Sequence, residues 1–141
     1  MVQLQLHYEH PACNIFYNLD LNAVHTVWKG PKVKGDTLKA ILNDLLALLI
    51  EKKTNGLMAD VRLMKVIDRE DQEWIVKDWY PRAVATGFNC EALIVSKATF
   101  NETTIKQIVN RIDDKIMHSA YFQTYNEAVS WIKQFIKADS V

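Results

Sequence analysis

The stretch LMADVRLMKVIDREDQEW, residues 57 to 74, decides how this chain is read. Leu57 to Val61 forms a short, mostly apolar run, which predicts a buried strand. A brief connection follows. Asp68, Glu70 and Asp71 then crowd the first turn of a predicted helix that runs from about Asp68 to Thr86 and stops at Gly87. Functional sites often lie where a strand hands over to a helix, so the run of carboxylates is the first candidate for chemistry.

Those carboxylates have a structural use. Asp68 is placed to accept backbone N–H groups as the helix cap, and Glu70 and Asp71 favour the positive end of the helix dipole, each by ~0.3–1 kcal/mol. As a cation site the cluster lacks the glycine and the ligand spacing of a calcium loop. At roughly 100° per residue, Ile75, Trp79 and Ala83 share the face expected in the core, whereas Glu70, Trp74, Asp78 and Pro81 fall on another. A tryptophan framed by carboxylates is a usual partner-binding anchor. The expected binding surface is therefore Asp68, Arg69, Glu70, Asp71, Trp74 and Asp78. The alternative is that Pro81 kinks the helix or that the connection covers Trp74. Asp60 and Arg62, one step upstream, are expected to form an ion pair that holds the connection; with Arg82 they make up the structural or ligand-facing set.

Working outward, residues 2 to 9 alternate apolar and polar, with Val2, Leu4, Leu6 and Tyr8 on one side, as an edge strand would. Ile15 to Leu19 and Ala23 to Trp28 read as two short antiparallel strands around a turn. A long helix begins near Asp36 or Thr37, with apolar positions 38, 41, 42, 45, 46 and 49, and is expected to close at Asn55-Gly56. Ala92 to Ser96 is the expected central strand. A third helix starts near Asn101 with Phe100 and Ile105 as a staple, and Ser119 to Phe122 leads into a last helix with the capping-box pair Thr124 and Glu127. Strands first, then helices alternating with strands, predict an α/β fold: a mixed sheet of about five strands with about four helices, in one domain over residues 1–141.

Composition and motifs exclude much. Lys plus Arg and Asp plus Glu are both 17, so no basic excess points to nucleic acid. The longest apolar run, about Leu38 to Ile50, is too short and too interrupted to span a bilayer, and the first residues lack a signal-peptide pattern, so a cytoplasmic location is expected. The four glycines, 30, 35, 56 and 87, are scattered, which rules out a P-loop and a dinucleotide fingerprint. No serine sits on a glycine-flanked elbow, and His7 and His10 read as surface residues, not metal ligands. Cys13 and Cys90 are expected as free thiols. No catalytic residue, metal or cofactor is expected.

The order of elements and the junction MADVR…EDQEW…WYPRA resemble the STAS-like fold of sulfate-transporter and anti-sigma-factor-antagonist domains, and in particular short, uncharacterised bacterial STAS-like (SpoIIAA-like) proteins. In the antagonists an Asp-Ser-Ser-Gly motif opens the helix, and one serine is phosphorylated by a partner kinase. Asp68-Arg69-Glu70-Asp71 falls on that motif: the aspartate is kept, the serines are replaced by Arg69 and Glu70, and the glycine by Asp71. The resemblance implies a non-enzymatic regulatory module that binds a protein partner or itself, with Glu70 as a fixed charge where the family carries phosphoserine. Through a relationship to the CRAL-TRIO fold it also implies, as the alternative, a pocket for a lipid or nucleotide.

Overall fold

The computed structural model describes residues 3–96 and 101–136. A six-stranded sheet runs in sequence order: β1 (Leu4–His10), β2 (Cys13–Asn18), β3 (Ala23–Trp28), β4 (Gly56–Asp60), β5 (Cys90–Ile94) and β6 (His118–Phe122). β1, β2 and β3 pair antiparallel, and β3 to β6 pair parallel. Each parallel step needs a helical crossover: α1 (Gly35–Lys52), then α2 (Arg69–Trp74) continuing into α3 (Tyr80–Ala85), then α4 (Asn101–Val109). Because the strands advance in one direction and such crossovers are right-handed, these helices lie on one face of the sheet. α5 (Tyr125–Ile132) packs on the other face.

Side-chain alternation along the strands divides the core accordingly. Ile15, Val24, Leu57 and Leu93 face the main core with Leu38, Leu45, Leu49 and Trp79, while Met58, Cys90, Ala92 and Ile94 meet Ala128 and Ile132 of α5. The sheet thus has one strand more than expected. Both cysteines are buried free thiols, each pushed up to about 12 by desolvation.

Several local expectations are corrected. β1 is an edge strand, but its register shifts between Leu6 and Tyr8. Tyr8 turns to the main core, and Leu4 and Leu6 stay exposed. α1 closes at Lys53, whose φ of 51° is left-handed, and not at Asn55-Gly56. Gly56 instead opens β4, where an added Cβ would collide with Ile136. β4 and β5 each start earlier than expected, so that Val61 follows β4 and Glu91 lies inside β5. The expected staple at Phe100 and the start at Val2 lie outside the described residues.

The long second helix is not uniform. A π-helical turn, Ile75–Trp79, joins α2 to α3, and the Tyr80 N–H reaches the Ile75 carbonyl five residues back. Pro81 lies in the first turn of α3, directly after this widened turn, so the change of pitch falls where its missing N–H interrupts the helical bonding. Ile75, Trp79 and Ala83 remain buried together, so the expected core face survives the change of pitch.

Candidate functional site

The residues around the strand-to-helix junction are brought together, but most of their charge is already answered. Asp60 ends β4 and holds Arg62 in a fork, accepting from Nε at 2.9 Å and from Nη2 at 2.7 Å. The expected ion pair is present. Asp68 flanks α2 without a side-chain cap bond and instead accepts from Lys32 Nζ at 2.6 Å, which lowers its pKa. Its expected role as the cap of its own helix is therefore corrected.

Asp71 turns inward. Both its oxygens accept the Gly35 N–H, at 3.2 and 3.1 Å, so it serves the first turn of α1, whose flanking Lys34 supplies no cap. Gly35 has a φ of 58°, a conformation that glycine adopts without strain. A helix start in one element is thus satisfied by an acid from another.

Trp74 is half-buried. It packs against the main core and lies between two cations, with Lys39 Nζ 5.5 Å and the Arg82 guanidinium 5.7 Å from its ring. Arg82 also donates to Asp78 at 2.8 Å and to Asn43 of α1 at 3.0 Å, which ties α3 to α1 across the indole. Glu73 accepts from Lys77 at 3.0 Å and pairs with Arg111; these bonds pull its carboxyl down to about 2. What remains open on α2 is Arg69 and Glu70, both exposed, and the Glu70 carboxylate makes no hydrogen bond or ion pair among the described residues.

The exposed apolar groups lie just upstream, in the connection between β4 and α2. Leu63 is 64% and Val66 48% exposed, and Arg62, Lys65 and Arg69, close to them in sequence, are exposed as well. The same connection turns Val61, Met64 and Ile67 inward. Inward residues at every third position thus produce a two-sided segment at the C-terminal ends of the parallel strands, where open α/β sheets commonly place their binding sites.

Beneath it lies a largely apolar cavity of about 70 Å³, bounded by Val61, Met64, Ile67, Leu38, Leu42 and Ile108 among others. Two polar features reach it. Glu91, 1% exposed, accepts from Tyr80 Oη at 2.8 Å and from Ser119 Oγ at 2.9 Å, and desolvation raises its pKa above the ordinary carboxyl range. Thr26, also 1% exposed, has an Oγ1 with no hydrogen-bond partner. Glu91 did not enter the expected site, although a lone acid within Cys90-Glu91-Ala92-Leu93-Ile94-Val95 was a signal.

Among the described residues, no three His, Cys, Asp or Glu side chains converge as metal ligands, and no helix is long and apolar enough to cross a membrane. His10 pairs with Asp44 of α1 at 3.0 Å.

No protein-family model matches the chain, and no curated protein does. The structure is similar to a crystal structure of an uncharacterised protein of the DUF3478 family, with a SpoIIAA-like fold, from Shewanella loihica PV-4, with a TM-score of 0.53, 14% identity and 92% of each chain covered. The chain has a mixed α/β, SpoIIAA-like fold, which is the STAS-like architecture that its sequence resembles.

Proposed function

We propose that this chain is a non-enzymatic protein-interaction module whose docking surface is the β4-to-α2 junction. The observation that carries this reading is the exposure of Leu63 and Val66, in the same short stretch of chain as the exposed Arg62, Lys65, Arg69 and Glu70, at the end of the sheet where such folds bind. The anchor of this surface is the aliphatic pair, and Trp74 packs α2 against the main core. Asp68, Asp71 and Asp78 contribute by holding the helix in place through Lys32, Gly35 and Arg82. A fitting partner is a protein segment with an apolar ridge and carboxylates facing Lys65 and Arg69.

Glu70 is the position where the antagonists carry phosphoserine. Its open carboxylate supports its reading as a constant, weaker negative charge in the same place.

The lipid or nucleotide alternative has less support. The apolar cavity under the junction, about 70 Å³, is far below the roughly 300–1,000 Å³ of sites for drug-sized ligands, and the roomier cleft of about 550 Å³ between Asn110 and Tyr121 is lined mainly by polar side chains, including Arg111, Asp113 and Asp114, that do not suit a lipid.

The test is to measure self-association by sedimentation and stoichiometric capture of a single protein partner, for the native chain and for Leu63→Asp with Val66→Asp. Loss of binding in that double variant, with retention in Ile50→Asp as an exposed apolar control elsewhere, is expected. Binding that survives Leu63→Asp and Val66→Asp overturns the placement. Unchanged affinity in Glu70→Ser removes the fixed-charge role.

A further inference from the structure

Among the described residues α5 is the only helix on its face of the sheet, and a histidine lies beneath its first turn. His25 points to that face from β3, 5% exposed, between Phe16 of β2 and Met58 of β4 in register. Its ring stacks on Tyr125 of α5 with centroids 5.6 Å apart and meets Phe16 edge-on at 6.3 Å. Nδ1 is buried and has no hydrogen-bond partner among the described residues. An imidazolium carries a hydrogen on both nitrogens, so a proton taken up here leaves a charged N–H without an acceptor between aromatic rings. Neutral His25 fits this slot, and charged His25 does not.

The elements around the slot supply no open counter-charge. From β4, Asp60 is the acid whose field reaches His25, but Arg62 holds both its oxygens, at 2.9 and 2.7 Å. From β2 come Phe16 and Asn18, both uncharged. From α5 comes Tyr125, whose hydroxyl accepts from Asn18 Nδ2 at 3.0 Å, while Glu127 is exposed and accepts from Thr124 at 2.9 Å. Asp20, near Tyr125, accepts the Gln3 N–H at 3.0 Å. Burial outweighs the field of Asp60 and lowers the His25 pKa below its ordinary 6.5. The way out is set by attachment: β2, β3 and β4 are locked in the ladder on both sides of His25, whereas Tyr125 is held by its stacking and one side-chain hydrogen bond.

We propose that α5 is an acid-released cover of the sheet: uptake of one proton by His25 lifts the Tyr125 end of α5 and opens the apolar face of Ala23, Met58, Ala92 and Ile94 to water. The sign follows from linkage. The open form binds the proton with ordinary affinity and the closed form binds it more weakly, so closure is complete above pH 6.5. It weakens as pH falls toward the folded value, by up to about tenfold per pH unit, because one proton is taken up. The device lies on the opposite face of the sheet from α2 and depends on no protein partner.

The experiment is amide hydrogen exchange of the intact chain between about pH 7.5 and pH 5, read as protection factors corrected for the pH dependence of the amide rate itself. Protection from Ala128 to Ile132 is expected to fall by up to about tenfold per pH unit below the ordinary histidine value. At each pH it should lie at least about tenfold below that of Ile41 and Leu45 in α1, which marks a local opening. Equal protection in the two helices means that the whole chain unfolds instead, and overturns the proposal. His25→Phe keeps a ring under Tyr125 and removes the proton site, so its α5 protection should stay flat. His118, the exposed histidine that stacks on Phe135, is the control, and His118→Gln should behave as the native chain does. Native α5 protection that does not change across the range overturns the proposal, as does an equal fall in His25→Phe. If that variant alters the fold, an NMR titration of the His25 ring in the native chain decides: a ring that titrates together with α5 opening sustains the proposal, and one that stays neutral while α5 opens overturns it.

Discussion

Carboxylates at the start of α2 and the carboxylate of Glu91 reach neutrality by different routes. At the helix start, Asp68, Glu73 and Asp78 keep their charge and meet Lys32, Lys77, Arg111 and Arg82 at or near the surface. Glu91 meets no cation among the described residues. It lies in the core against two hydroxyls, where burial favours its protonated form. The first arrangement orders a surface and is open to salt. The second is woven into packing, so disturbing it disturbs the core.

The largest effect therefore belongs to the buried cluster. The Tyr80 ring packs edge-on to Trp79 at 5.1 Å and stacks on Phe88 at 6.4 Å, while its hydroxyl donates to Glu91. Tyr80→Ala should lower unfolding stability by ~3–5 kcal/mol, as deletion of a large buried ring does. Tyr80→Phe keeps the ring and should cost ~1–3 kcal/mol for the partner withdrawn from a buried carboxyl. Urea unfolding compares them. Equal losses in the two variants would mean that the hydroxyl bond, and not the packing, dominates, and the contrast between core and surface would lose its basis.

Next comes the one acid of the helix start that behaves like an interior group. Asp71 is buried and accepts the Gly35 N–H, so Asp71→Ala should cost ~1–2 kcal/mol, the range for removal of a helix cap. Its neighbour Glu70 is exposed, and Glu70→Ala should leave the urea midpoint essentially unmoved. Matching losses at the two positions would break the distinction between an acid that serves α1 and one that faces outward.

What was readable in the chain follows the same division. Periodicity exposed the core face Ile75, Trp79 and Ala83, the stripe along α1, and the strand order that leads to a mixed sheet, because those patterns report burial directly. Asp60 with Arg62 was legible because the pair is two residues apart. Asp71 with Gly35 and Trp74 with Lys39 were not, because these contacts join elements far apart in sequence and only the packing of α2 on α1 creates them. The π-helical turn was partly signalled by Pro81, which demanded a lost bond without saying where the helix would yield it. Leu63 and Val66 were hidden for another reason. A connection outside regular helix or strand has no expected period to show which side chains turn out, and three of its five apolar residues, Val61, Met64 and Ile67, line the core.

The sharpest form of the comparison is a pH profile, because the two routes slope in opposite directions. Glu73 is held down to about 2 in the folded chain against 4.5 for the free group, so its stabilisation is complete above 4.5 and is lost as pH falls toward 2. Glu91 is raised above 4.5 by burial, so the folded chain binds its proton more tightly than the unfolded chain does. Its sign is reversed: stability declines as pH rises from 4.5 to the folded value, then levels. Urea midpoints across the acid and neutral range should show Glu91→Gln removing the decline on the alkaline side and Glu73→Gln softening the loss on the acid side. About 1 M salt should shrink only the Glu73 effect, since screening reaches a surface pair and not a buried acid. A Glu91→Gln profile parallel to the native one above 4.5 would mean that Glu91 ionises freely in the folded state, and the two carboxylate environments would then be one.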